Sequence, residues 1–237
     1  PIAFTLGLMA TPVRDFPQND PFAHPSYSGN GNITFSEWCS YPLGSQPLPE
    51  EGTLEFWLKR SEARATSNVE IFHILRGKTK LDCYLMTPDL PDTIAWYVGG
   101  EKVLDGKTIL NTNGFTHLAL VWNKDQLAFY SNGKLTGKIS AAPALAKFKE
   151  IIRGEGGELR FGCGNDYGGY TGLVLDEVRV SKGVRYTGEV CAVPPQAFVK
   201  DNDTILLDHL DETFKPDGQD AETAGGGVPT IGCSFAP

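Results

Sequence analysis

An all-β fold, two antiparallel sheets packed as a jelly-roll sandwich, is predicted by three observations. Segments with two-residue apolar alternation recur along the chain. Turn-forming residues separate them about every eight to twelve positions, the spacing of sandwich folds. No helical pattern alternates with the strands, as a doubly wound parallel fold would require. The 27 glycines and 16 prolines among 237 residues are too many for a helical bundle and lack the period of collagen. With 41% hydrophobic and 21% charged residues, the chain can bury enough apolar surface to offset its ordering entropy. Its length fits one large β domain.

Residues 1–30, rich in Pro, Asn, Ser and Gly, read as a lead-in, and 31–237 as one domain. The apolar stretch 2–9 fits a strand belonging to whatever precedes. From Gly52 the alternation is plain: Leu54, Phe56 and Leu58 interleave with Glu55, Trp57 and Lys59, one set for each face of a strand. Residues 69–76, 80–86, 93–98 and 101–104 read as a meander, the last two joined by Gly99-Gly100, a pair suited to the positive φ of a primed turn. Strands at 115–123 and 126–131 follow, and Asn132-Gly133 turns the second into 134–139, the strongest short hairpin signal. Only 144–149, just after Pro143, reads as helical. Strands at 158–163 and 172–181 flank a glycine-rich loop, and 201–237 reads as a displaced terminal strand, 204–210, and a tail.

The net charge of −8 repels phosphate backbones and anionic lipid, so nucleic acid is excluded as a partner. Apolar runs such as 118–122 fall far short of the ~20 residues that span a bilayer. Cys39, Cys83, Cys163, Cys191 and Cys233 form no C-x-x-C pair, which argues against a zinc ribbon or a thioredoxin-type motif. They read as buried thiols with room for one disulfide. Pro1 and the absence of a basic-then-apolar segment lead us to expect a piece of a longer polypeptide.

Four pieces in a fixed order carry a resemblance: Gly-Thr-Leu-Glu-Phe-Trp-Leu-Lys at 52–59, Phe-Thr-His-Leu-Ala-Leu-Val-Trp-Asn at 115–123, Leu-Ala-Phe-Tyr-Ser-Asn-Gly-Lys at 127–134 and Gly-Leu-Val-Leu-Asp-Glu-Val-Arg-Val-Ser at 172–181. Together they resemble the laminin-G-like branch of the concanavalin A-like lectin and glucanase superfamily. The resemblance implies two curved sheets and a structural calcium held by Asp176 and Asp211. It also implies an extracellular or periplasmic, secreted bacterial setting. One departure is that the strand at 204–210 follows the body of the domain, whereas similar bacterial domains open with it. It either closes this sandwich, which we favour, or starts another. Residues 7–14 resemble a junction found in large glycoside hydrolases.

Glucanases of this superfamily place paired glutamates on one strand as E-x-D-x-E or E-x-D-x-x-E, because a retaining mechanism needs carboxyls about 5–5.5 Å apart. No such run exists here, and Asp176-Glu177 and the acidic group at 208–212 lack the spacing, so no catalytic residue is expected. His24, His73, His117 and His209 stand in four different elements and form no metal motif; His73 and His117 read as packed strand residues. No serine sits in a G-x-S-x-G elbow. Residues 162–169 are not a phosphate cradle, because a strand rather than a helix follows them.

Sugar sites pair a ring face with planar polar groups. Asn165, Asp166, Tyr167 and Tyr170 supply that set in a loop, and Trp96 with Tyr97 on the meander strand adds an aromatic platform, although alternation must turn one of these two inward; Trp57 and Trp122 are expected to pack within or between the sheets. The expectation is a non-catalytic carbohydrate-binding, adhesion or accessory module. Its partners would be a polysaccharide or glycan and the neighbouring domains of the parent chain. The alternatives are a glycoside hydrolase of jelly-roll fold and a protein-interaction module.

Overall fold

The computed structural model describes residues 4–6, 35–45, 47–60, 68–86, 92–110, 113–162, 173–195, 197–208 and 230–235. They form two seven-stranded antiparallel sheets. The first runs β1 (Phe4–Leu6), β12 (Leu173–Lys182), β3 (Gly52–Arg60), β8 (Thr116–Trp122), β9 (Leu127–Ser131), β10 (Lys134–Ile139), with β13 (Thr204–Asp208) also on β12. The second runs β14 (Thr230–Phe235), β2 (Phe35–Pro42), β11 (Glu158–Gly162), β4 (Val69–Arg76), β5 (Thr79–Met86), β6 (Thr93–Val98) and β7 (Glu101–Lys107). The expected all-β, two-sheet architecture is what the chain adopts.

Three strands depart from the sequence reading. β2 and β14 fall in stretches to which the sequence reading assigns no strand, yet Phe35 pairs with Phe235 and Cys39 with Ile231 along their length. β1 belongs to this sandwich and not to a preceding one, because Phe4 pairs with Leu175 and Leu6 with Leu173. β13 pairs farther along the same edge of β12, Asp208 opposite Val178. The two glycine-bearing turns are as expected: φ is 59° and 80° at Gly99 and Gly100, and 47° and 73° at Asn132 and Gly133.

The core follows from the alternation. Leu54, Phe56 and Leu58 point inward from β3 to meet Phe72 of β4 and Phe161 of β11, with Phe56 5.6 and 5.0 Å from those rings, nearly edge-on. The one helix among the described residues, α1 (Ala142–Arg153), is longer than the sequence reading allowed. Its buried Ala144, Leu145, Phe148, Ile151 and Ile152 repeat at helical spacing and join the same core, Phe148 lying 6.0 Å from Trp122.

The outer face of the first sheet is covered. Residues 183–195 and 197–200 run back over it as an irregular strap that hides Trp57, Ala119, Val121 and Tyr130. At the β9–β10 turn the contact is tight: a Cβ on Gly133 would stand 2.3 Å from the Cys191 carbonyl oxygen. Beneath the strap, Glu55 is fully buried. Arg179 Nε donates to its Oε1 at 2.8 Å, Tyr186 donates to its Oε2 at 2.5 Å, and His117 Nε2 lies 3.1 Å from that same oxygen. Burial alone would raise the Glu55 carboxyl, but hydrogen bonding from His117, the Arg179 charge and the Tyr186 hydroxyl outweigh it and hold the group below its ordinary value. Burial and the Glu55 charge push the Tyr186 hydroxyl well up.

Candidate functional site

Two voids lie between the sheets among the described residues, and neither is ligand-sized. The void lined by Phe56, Trp96 and Phe129 and that lined by Leu48, Leu54 and Trp122 are each ≈ 10 Å³, room for about one water molecule. With the strap over the first sheet, the outer face of the second sheet is the candidate recognition surface.

Strand register builds that surface. Arg160 of β11, His73 of β4, Asp82 of β5, Tyr97 of β6 and Lys102 of β7 stand opposite one another in consecutive pairs. Their neighbours Phe161, Phe72, Cys83 and Trp96 point into the core, so this row points outward. A second row holds Glu70, Tyr84 and Ala95. Glu70 and His73 are three positions apart and would ordinarily face opposite sides. The β-bulge between Glu70 and Phe72 changes the parity and brings them together.

The rows form a tight ionic cluster beside an aromatic pair. His73 Nδ1 lies 3.1 Å from Glu70 Oε1, and its Nε2 lies 3.4 Å from Glu158 Oε1. Lys80 Nζ sits between two carboxylates, 2.9 Å from Glu70 and 2.6 Å from Asp82. Tyr84 and Tyr97, both half-buried, meet edge to face at 5.6 Å. Burial would raise the Glu70 carboxyl, but His73 and Lys80 outweigh it and hold the group down at about 2. For Asp82 burial wins, helped by the Glu70 charge against Lys80, and the carboxyl is pushed up to about 6.

The residues expected to bind sugar fare differently. Trp96 is corrected: it is 8% exposed, stacked 3.7 Å from Phe129 and 5.7 Å from Phe72, because alternation along β6 turns it inward. Tyr97 takes the outward position. Asn165, Asp166, Tyr167 and Tyr170 lie outside the described residues. Of the expected calcium ligands, Asp176 is buried on β12 opposite Trp57 of β3, and Asp211 lies outside the described residues. His73 and His117 are packed within strands, as read. Glu70, Lys80 and Asp82 belong to no motif; alternation combined with hairpin register is the one signal that could have joined them. Among the described residues no helix is long and apolar enough to cross a membrane.

Two solved structures of similar fold are tailspike proteins. The enzymatically active domain of tailspike protein 2 of bacteriophage CBA120 is 18% identical with a TM-score of 0.52, the match covering 77% of this chain and 29% of that one. The full-length tailspike protein 2 of Escherichia coli O157:H7 bacteriophage CAB120 is 18% identical with a TM-score of 0.51, covering 77% and 26%. This chain therefore spans less than a third of either tailspike's length. The carbohydrate recognition domain of Emp46p is 11% identical, with a TM-score of 0.49 over 65% of this chain and 80% of that one. No curated protein matches. Residues 28–191 match the laminin-G-type family described as the concanavalin A-like lectin/glucanases superfamily. With that match over more than half of its length and two antiparallel sheets in the sandwich arrangement, the chain belongs to the concanavalin A-like lectin/glucanases superfamily.

Proposed function

We propose that the chain is a non-catalytic carbohydrate-binding module of a larger extracellular protein, taking a polysaccharide or glycan across the outer face of its second sheet. The observation that carries this reading is the Tyr84–Tyr97 pair set beside a row of charged side chains, ring faces next to hydrogen-bonding groups on one rigid sheet. Membership of a superfamily named for its lectins and glucanases supports it. Asn165, Asp166, Tyr167 and Tyr170 are proposed to contact the same ligand.

Catalysis by Glu70 and Asp82 is the weaker reading. Each carboxylate is paired with the Lys80 ammonium, so neither is placed to attack an anomeric carbon nor to protonate a leaving oxygen. On a glycan array the labelled chain is expected to bind a defined set of saccharides. Tyr97→Ala and Tyr167→Ala should each weaken that binding by roughly tenfold, about 1.4 kcal/mol, without lowering the melting temperature much. If the array shows no binding to any glycan, the module reading falls and protein interaction replaces it.

Structural calcium at Asp176 and Asp211 belongs to the same proposal. The ion prefers oxygen ligands, and Asp176 offers a buried carboxylate where β12 bulges. Added calcium should raise the melting midpoint of the wild-type chain and leave that of Asp176→Asn unmoved, because an ion bound only to the native state stabilises it by mass action. An unmoved wild-type midpoint would rule the ion out.

A further inference from the structure

We propose that Glu70, His73 and Asp82 form a binding site for a divalent transition-metal ion, with Lys80 as a built-in competitor for it. One ligand atom from each of the three lies within 4.8 Å of the others, and all three residues are buried. One imidazole nitrogen with two carboxylate oxygens is the donor set of Zn²⁺ and Mn²⁺ rather than of Ca²⁺, which takes oxygen. Zinc bonds of about 2.0–2.2 Å would draw the three side chains together by roughly an ångström.

Two independent observations point to an ion at this cluster. The first is the bracing of His73. Its Nδ1 faces Glu70, while its Nε2 faces Glu158 Oε1 at 3.4 Å, and Glu158 is held in turn by Arg160 Nη2 at 2.7 Å. A histidine whose far nitrogen is fixed by a carboxylate is the arrangement that orients metal-ligating imidazoles and raises their basicity. The second is Glu70 Oε2, which has no hydrogen-bond partner although its residue is 2% exposed. A buried carboxylate oxygen left that way is costly, and a metal ion would satisfy it.

Lys80 is the competitor. Its ammonium lies within 2.9 Å of Glu70 and 2.6 Å of Asp82, so it supplies the cation the two carboxylates require. Its side chain is 26% exposed, which leaves the ammonium a route to solvent when a divalent ion takes its place. Metal and lysine thus exclude each other, and the ion site does not depend on the glycan reading.

The test is calorimetric titration of the whole chain with ZnCl₂ and MnCl₂, with CaCl₂ as a third arm, and thermal melts in parallel. We expect one ion per chain. Lys80→Met should bind about tenfold tighter than wild type, because a competing charge at contact distance is gone. Glu158→Gln should bind about 10–100-fold more weakly by loss of the brace on His73. Glu70→Gln should not bind at all. If Lys80→Met does not fold, Lys80→Gln and the wild-type chain give the same comparison. The proposal is overturned by an unmoved melting temperature with zinc and manganese in wild type and lysine variants alike. Zinc binding that survives Glu70→Gln would overturn it equally, as would calcium bound more tightly than zinc and lost in Glu70→Gln; calcium held at Asp176 is told apart because it survives that substitution. Glycan binding is read separately on the array, so failure of one leaves the other standing.

Discussion

Replacing Glu55 with alanine is expected to cost about 3–5 kcal/mol, the scale for removing one partner of a buried ion pair. The residue is fully buried, and its two oxygens hold Arg179, Tyr186 and His117. Without the carboxylate, the Arg179 charge stays beneath the strap with its main partner gone, and Tyr186 loses its acceptor. Arg179 would keep its bond to the Val199 carbonyl at 3.0 Å and its place 4.5 Å over the Phe198 ring, too little to offset a lost counter-ion. Urea denaturation of the variant measures the loss, and a cost below about 1 kcal/mol would show that the strap is held by apolar contacts instead. The same carboxylate links the strap to pH. Its folded-state value is lowered, so its contribution is present above the ordinary glutamate value of 4.5 and is lost as pH falls through the folded value. Hydrogen exchange in residues 183–200 should therefore quicken on acidification before exchange in β3 and β8 does.

Phe72→Ala should cost about as much, roughly 3–5 kcal/mol, by a different mechanism. The ring is completely buried and lies 5.6 Å from Phe56, 5.7 Å from Trp96 and 5.7 Å from Phe161, so it joins both sheets at their centre. The strands around it are locked by their ladders and cannot close over the space, which leaves the transfer cost and a cavity together. Phe72→Leu retains most of the volume and should lose less than half as much. Guanidinium denaturation of the two variants checks this, and near-equal losses would show that the site collapses freely.

The elements that could be read from sequence are those in which side-chain chemistry and backbone period agree. In β3, Leu54, Phe56 and Leu58 mark the strand, and Asn132-Gly133 marks the turn after β9. β2 and β14 carry a weaker signal: Ile231, Cys233 and Phe235 alternate with small or polar residues, and Phe35, Cys39 and Tyr41 do so around a charged Glu37, but both runs sit in stretches crowded with Gly, Pro and Ser, and their mutual pairing spans nearly the whole chain. Glu55 shows the limit on faces. Alternation predicts that it faces away from the core, which is correct, yet that side is not solvent because an irregular strap with no period of its own lies over it. The ionic cluster was hidden for a related reason. Glu70 and His73 share a face only through a bulge, and Asp82 and Lys80 reach them only through the β4–β5 register. Trp96 and Tyr97 were a pair of which one had to point inward; the core took the larger ring.

The long-range strand pairings also set the order of assembly. Phe35 finds its partner in Phe235, and Gly52 at the start of β3 finds Lys182 at the end of β12. A chain emerging from the ribosome would have made β4 to β7 as a local meander long before β12 arrived to join β3. Until then the apolar face of β3 and the bare edge of β2 wait uncovered. Pairings of such long sequence separation place two-state folding in roughly the millisecond-to-second range rather than the microsecond range. During that interval the meander, not the finished sandwich, is the species most exposed to capture by another nascent copy.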